Sequence, residues 1–95
     1  MHKIQPIYYN AVKHFGKENQ LLKCVEEMTE LQQAIIKYQL SNIDRSGLLL
    51  NLIEEIVDVE IMIKQIKTIF NSDAEVQIYK HCETMKLEKL QTLIS

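Results

Sequence analysis

Hydrophobic residues in this chain return at three- and four-residue intervals over most of its length, the spacing that lays a continuous stripe along an α-helix. From about Glu18 to Gln39 the stripe consists of Leu21, Val25, Met28, Leu31, Ile35 and Tyr38, with no proline or glycine to interrupt it, and it predicts a long second helix. Ahead of it, Pro6 suits a first helical position, and Ile7 to Phe15 form a short first helix that Gly16 ends in a left-handed cap. The stretch SNIDRSG, residues 41–47, has the composition of a loop. A third helix is expected from about Leu48 to Phe70, with Asn71 as its stop. Its apolar residues, among them Leu49, Leu52, Ile53, Ile56, Val59, Met62, Ile63 and Ile66, cover most of the circumference, which suits a helix contacted from more than one side. A subunit interface would supply the extra contact. SDAE at 72–75 has the form of a capping box, with Ser72 as N-cap and Glu75 three residues on. It opens a fourth helix to about Ile94, with Val76, Tyr79, Leu87, Leu90 and Ile94 on its inner face.

The expectation is therefore an all-α protein, one domain over residues 1–95, without linker, low-complexity tract or solenoid repeat. Composition agrees: two glycines and one proline leave few places for tight turns, and 46% hydrophobic with 25% charged residues belongs to a chain that folds. A core drawn from 95 residues is limited, so a homodimer or homotetramer is expected. The start, Met1 to Tyr9, is polar and unlike a signal peptide, and no stretch reaches the length of a membrane span, so the expected setting is cytoplasmic, without a membrane partner. Cys24 and Cys82 are far apart, with no CxxC pair, and are expected as reduced, buried thiols.

The net charge of −2 hides an uneven distribution. Residues 1–23 carry +3, residues 24–75 carry −6 from ten acidic and four basic side chains, and residues 76–95 carry +1. A nucleic-acid polymer wants a basic stripe, and an acidic centre with six scattered aromatics argues against one.

The central acid is patterned. KCVEEMTELQQA at 23–34 and NLIEEIVDVEIM at 51–62 each set a glutamate doublet and a further acid, Glu26, Glu27 and Glu30 in one and Glu54, Glu55 and Asp58 in the other, against an apolar helix stripe. Residues three apart on a helix point to one side, so Glu27 with Glu30 and Glu55 with Asp58 would converge if the two helices face each other. So would Glu26 with Glu30 and Glu54 with Asp58 at four apart, and spacing leaves open which member of each doublet is the ligand. Like charges about 4 Å apart at an effective dielectric near 20 repel by roughly 4 kcal/mol, so such a cluster calls for a cation between its members. An EE pair alone is ordinary on a solvated helix face; two such motifs in order are not. No glutamate has a histidine three residues on, as a di-iron bundle would need, and zinc would want Cys or His. An all-oxygen set fits Mg²⁺, with Mn²⁺ as the alternative, and Mg²⁺ commonly joins a few carboxylates to substrate phosphates. His81 and Cys82 point about 100° apart on a helix and do not form a shared zinc site.

These residues resemble a known family. Glu27-Met-Thr-Glu30 followed by Glu55-Ile-Val-Asp58 is similar to the ExxE and ExxD signature of the MazG-like all-α nucleoside-triphosphate pyrophosphohydrolases, particularly their short phage and bacterial members. HFGKENQLLKCVEEMTEL, EEIVDVEIMIKQIKTIF and MKLEKLQTLI resemble the family's approach to the first acidic pair, its third helix and its lysine-bearing tail, so the likeness runs from about Tyr9 to Ile94. It implies a four-helix bundle completed by dimerisation or tetramerisation. It implies Glu27, Glu30, Glu55 and Asp58 as catalytic metal ligands for Mg²⁺, with Glu26 and Glu54 just outside them. It further implies hydrolysis of a nucleoside triphosphate to the monophosphate and pyrophosphate. Lys86 and Lys89 correspond to basic tail residues that meet phosphate, and Gln20, beside His14 and Phe15, is a weaker candidate for holding base or sugar. The rival readings are a non-enzymatic helical interaction protein whose acids are only surface charge, and hydrolysis of phosphoribosyl-ATP on the related fold.

Overall fold

The computed structural model describes residues 6–42 and 44–95, so the first five residues and Ile43 of the expected loop lie outside the described residues. Four helices follow one another: α1 (Pro6–Phe15), α2 (Lys17–Leu40), α3 (Ser46–Ile69) and α4 (Asp73–Ile94). Each matches an expected helix to within two residues. Gly16 is the whole connection between α1 and α2: its N–H closes α1 on the Val12 carbonyl at 2.8 Å, and its own carbonyl accepts from Gln20 N–H at 3.0 Å to begin α2. Its φ of 93° is the positive value expected, but its ψ of 141° is extended and not left-handed helical, because the same residue must turn the chain directly into a new helix. α3 begins two residues early, at Ser46, whose N–H and hydroxyl both donate to the Asp44 carboxylate, at 2.9 and 3.1 Å. Arg45 folds back to donate twice to the Ser41 carbonyl past the end of α2, at 3.0 and 2.7 Å.

α2 and α3 make the main packing contact and α1 lies across both, nearer α3, where the Lys64 ammonium stands over the Tyr8 ring. The buried line on α2 is Gln20, Cys24, Glu27 and Ala34, with Leu31 and Tyr38 partly covered. This is one residue earlier, at four of its steps, than the stripe read from hydrophobicity, and Val25, Met28 and Ile35 are left exposed. On α3 the facing line runs through Leu52, Glu55, Val59, Met62, Ile66 and Ile69 in regular three- and four-residue steps, with Gln65 buried beside it. The two helices thus meet along a seam that carries polar side chains, while a second apolar surface remains uncovered. The seam accepts Gln20 and Gln65 because they satisfy each other, Gln20 Nε2 donating to Gln65 Oε1 at 2.7 Å, with Gln65 Nε2 in turn against Met62 Sδ at 3.5 Å.

α4 does not fold back onto the other helices. Its expected inner face is open: Leu87, Leu90 and Ile94 are exposed, and only Val76 and Tyr79 near its start are partly covered. Tyr79 ties the corner by donating its hydroxyl to the Phe70 carbonyl at 2.9 Å, with the Lys67 ammonium over its ring. The projecting helix gives a radius of gyration of 16.5 Å, against about 12 Å for a compact chain of this length. Cys24 is buried as expected; Cys82, on α4, is exposed for the same reason, and both are free thiols.

The capping box at the start of α4 is present in both directions, Glu75 N–H donating to Ser72 Oγ at 3.1 Å and Ser72 N–H to Glu75 Oε1 at 2.9 Å. With so little tertiary support, α4 depends on it more than a packed helix would. Ser72→Ala is expected to speed amide hydrogen exchange at Glu75 by about fivefold, with no change at the Gln65 amide in the seam.

Candidate metal centre

Three carboxylates converge where the α2 and α3 stripes cross the acidic motifs. Single oxygen atoms of Glu27, Glu55 and Asp58 all lie within 4.8 Å of one another, Glu27 buried, Glu55 partly buried and Asp58 exposed. Glu27 comes from the seam of α2. Glu55 comes from the seam of α3, and Asp58 stands one turn further along α3 toward the opening. Of each doublet, Glu27 and Glu55 are turned toward the other helix, and Glu26 and Glu54 are exposed. Glu30 lies outside the three-oxygen set and is exposed, yet its carboxylate is near enough to Glu55 to act on it.

The cluster is electrostatically unfinished. Glu55 Oε2 is buried with no hydrogen-bond partner. Desolvation first, then the negative charges of Glu30, Asp58 and Glu27, with hydrogen bonding to Glu30 added, push the Glu55 carboxyl above its ordinary value of 4.5. The cation beside Glu27 is Lys23, a turn before it on α2, with its Nζ 3.3 Å from Glu27 Oε1 and 4.0 Å from Glu26 Oε2. The hydrogen bond and charge of Glu27, followed by the charge of Glu26, hold that ammonium above the usual lysine range. Lys23, Glu27 and Asp58 line a cavity of about 180 Å³ floored by Ile61 and Met62. Sequence reading passed over Lys23 and Gln65; the signal available for Lys23 was its i,i+4 step to Glu27, and for Gln65 its polar amide within the apolar run of α3.

The donor set fits a hard divalent cation. All its atoms are carboxylate oxygens, and opposite ligands of an octahedral Mg²⁺ stand about 4.2 Å apart, so oxygens spread over 4.8 Å need only a small side-chain movement to close on one. Glu27, Glu55 and Asp58 could hold the ion, and the orphaned oxygen of Glu55 would gain the partner it lacks.

The remaining candidates lie elsewhere. Lys86 and Lys89 are exposed on α4, far along it from the Tyr79–Lys67 contact through which that helix touches α3. Gln20 is buried in the seam with its amide nitrogen given to Gln65. His14 and Phe15, edge to face at 4.7 Å, are exposed at the end of α1. Beside them a second cavity, of about 350 Å³, is lined by Tyr9, Val12, Lys13, Gly16, Lys17 and Thr68. Among the described residues no helix is long and apolar enough to cross a membrane. Comparisons with models of known families, with curated proteins and with solved structures find no match to this chain, so the fold and the acidic cluster stand on their own geometry.

A carboxyl whose folded-state pKa is raised adds stability that is present below its ordinary value and is lost as the pH climbs through the raised one. Asp44 and Glu75 act in the opposite sense: hydrogen bonds from Ser46 and Ser72 lower their pKa values, and the stability they add is lost as the pH falls. Glu55→Gln keeps the side-chain shape without the charge. In the metal-free protein it is expected to raise Tm at neutral pH and to remove the decline that begins above about 4.5, leaving the acid limb set by Asp44 and Glu75 unchanged. Thermal melts across that range compare the two proteins.

Proposed function

We propose that this chain is a Mg²⁺-dependent nucleoside-triphosphate pyrophosphohydrolase of the MazG-like kind, converting a (d)NTP to the monophosphate and pyrophosphate. The observation that carries the reading is the convergence of Glu27, Glu55 and Asp58 from two helices on one point, with a buried carboxylate oxygen left unpartnered. Charge of that sign and density is unfavourable unless a divalent cation is part of the working state. Glu27, Glu55 and Asp58 would hold the cation, with Glu30 adjoining through Glu55. A bound Mg²⁺ supplies neutralisation of phosphate charge and activation of an attacking water. The seam buries Glu27 and partly covers Glu55, which limits the freedom of the two ligands to relax apart. Glu30 stands beside the centre on the exposed side, where a carboxylate can take the proton that the attacking water releases.

Assembly belongs to the same reading. Val25, Met28 and Ile35 on α2 and Leu87, Leu90 and Ile94 on α4 are exposed, and among the described residues the buried hydrophobics are Cys24, Ala34, Val59 and Met62. A core of that size supports a lone domain poorly, and a second copy would cover these surfaces. In such a dimer or tetramer the lysines of α4, Lys86 and Lys89, are basic groups that a second copy could bring to phosphate.

Millimolar Mg²⁺ or Mn²⁺ is expected to raise Tm, because a ligand taken only by the folded state stabilises it; a purely interacting helical protein would melt unchanged. Incubation with a panel of nucleotides, phosphoribosyl-ATP among them, should release pyrophosphate from a (d)NTP, and Asp58→Asn should reduce that release by about 100-fold or more. Sedimentation at micromolar concentration is expected to show a dimer or tetramer; a monomer counts against the assembly.

A further inference from the structure

The cavity beside the carboxylates holds one residue of the wrong sign for a metal ligand. Lys23 lines it together with Glu27, Asp58, Ile61 and Met62, and its ammonium lies 3.3 Å from Glu27 Oε1. The two partners are unequally free: the Glu27 side chain is 10% exposed and set in the α2–α3 seam, whereas that of Lys23 is 52% exposed on a flexible four-carbon stem. If the pair separates, Lys23 moves and Glu27 stays. The cavity, about 180 Å³, is smaller than the roughly 300–1,000 Å³ of pockets that enclose whole small molecules, so it has room for a fragment of the size of a phosphate group. Three carboxylates repel such an anion. It becomes welcome there only with positive charge on both sides.

We propose that Lys23 is the anion-binding residue of this centre: without metal its ammonium serves as the counter-ion of Glu27, and when a divalent cation takes the carboxylates it turns to pair with a phosphate oxygen of the ligand. The proposal rests on the reading of Glu27, Glu55 and Asp58 as a divalent-cation site and adds to it a residue and a direction, placing the phosphate in the Ile61 and Met62 cavity on the α2 side. Lys23 and the metal compete for Glu27, yet both attract the phosphate. Metal affinity and anion affinity must therefore move in opposite directions when the lysine is removed, which a simple helix-surface ion pair does not predict.

The test titrates the whole chain with Mn²⁺ alone, followed by electron paramagnetic resonance, and then titrates inorganic pyrophosphate, as its magnesium complex, into protein saturated with Mg²⁺. Lys23→Met is expected to bind Mn²⁺ about two- to fivefold more tightly, the worth of an exposed ion pair, and pyrophosphate about tenfold more weakly, the worth of a charge-assisted hydrogen bond. Lys23→Arg, which keeps the charge, should recover most of the pyrophosphate binding. Lys37→Met, an exposed change of the same net charge elsewhere on α2, should match the wild type in both titrations. If the wild type takes up Mn²⁺ but Lys23→Met lacks either effect, Lys23 is only a surface charge and the proposal is overturned while the metal centre stands. If the wild type takes up no Mn²⁺, the centre itself fails and the proposal falls with it.

Discussion

Glu27 and Glu55 sit on the same seam that joins α2 to α3, and this coupling of charge to packing governs the rest of the molecule. In most helix pairs the seam is apolar and charges lie at its edges. Here the regular stripe of α3 passes through Glu55 on its way from Leu52 to Val59, and that of α2 passes through Glu27 between Cys24 and Leu31. The helices therefore cannot approach without bringing two carboxylates together, and Asp58 makes a third. The raised pKa of Glu55 and its orphaned oxygen are two expressions of the resulting conflict.

Two local devices keep the seam closed around that conflict. Lys23 gives Glu27 a counter-ion from the solvent side. Further along, the Gln20–Gln65 pair holds the helices in register, since a slip would break a buried hydrogen bond and strand two amides away from water. Polar groups that satisfy one another thus flank polar groups that do not. The unsatisfied set lies midway along the seam, beside a cavity through which a ligand can reach it.

The chain also leaves a large apolar surface undecided by its own folding. α3 is hydrophobic around most of its circumference, but α1 and α2 cover only part of it, and α4 leaves at the Phe70 corner without returning. Tyr79 and Lys67 stiffen that corner, and the capping box starts α4 cleanly, so the helix is directed outward and not merely loose. A 22-residue helix held only near its start is marginal in water, and its exposed Leu87 and Leu90 are places where a partner would add stability.

The number, order and limits of the helices were legible in the sequence because they rest on short-range effects: Gly16 as the break, the loop residues around Asp44, and the reciprocal cap of Ser72 and Glu75. Of the two acidic motifs, Glu27, Glu55 and Asp58 come together, whereas Glu30 stays outside the set although it stands three residues from Glu27. Which face of each helix turns inward was not legible. Hydrophobicity favoured Val25, Met28 and Ile35, and the fold buried Gln20, Cys24, Glu27 and Ala34, because an apolar stripe does not by itself say which face of a helix docks within one chain. The docking of α2 on α3 turned Glu27 and Glu55, which spacing alone could not separate from Glu26 and Glu54, toward the seam, drew in Lys23 and Gln65, and left α4 apart. Those choices depend on how two helices are rotated about their own axes when they meet, a long-range quantity that no local spacing encodes.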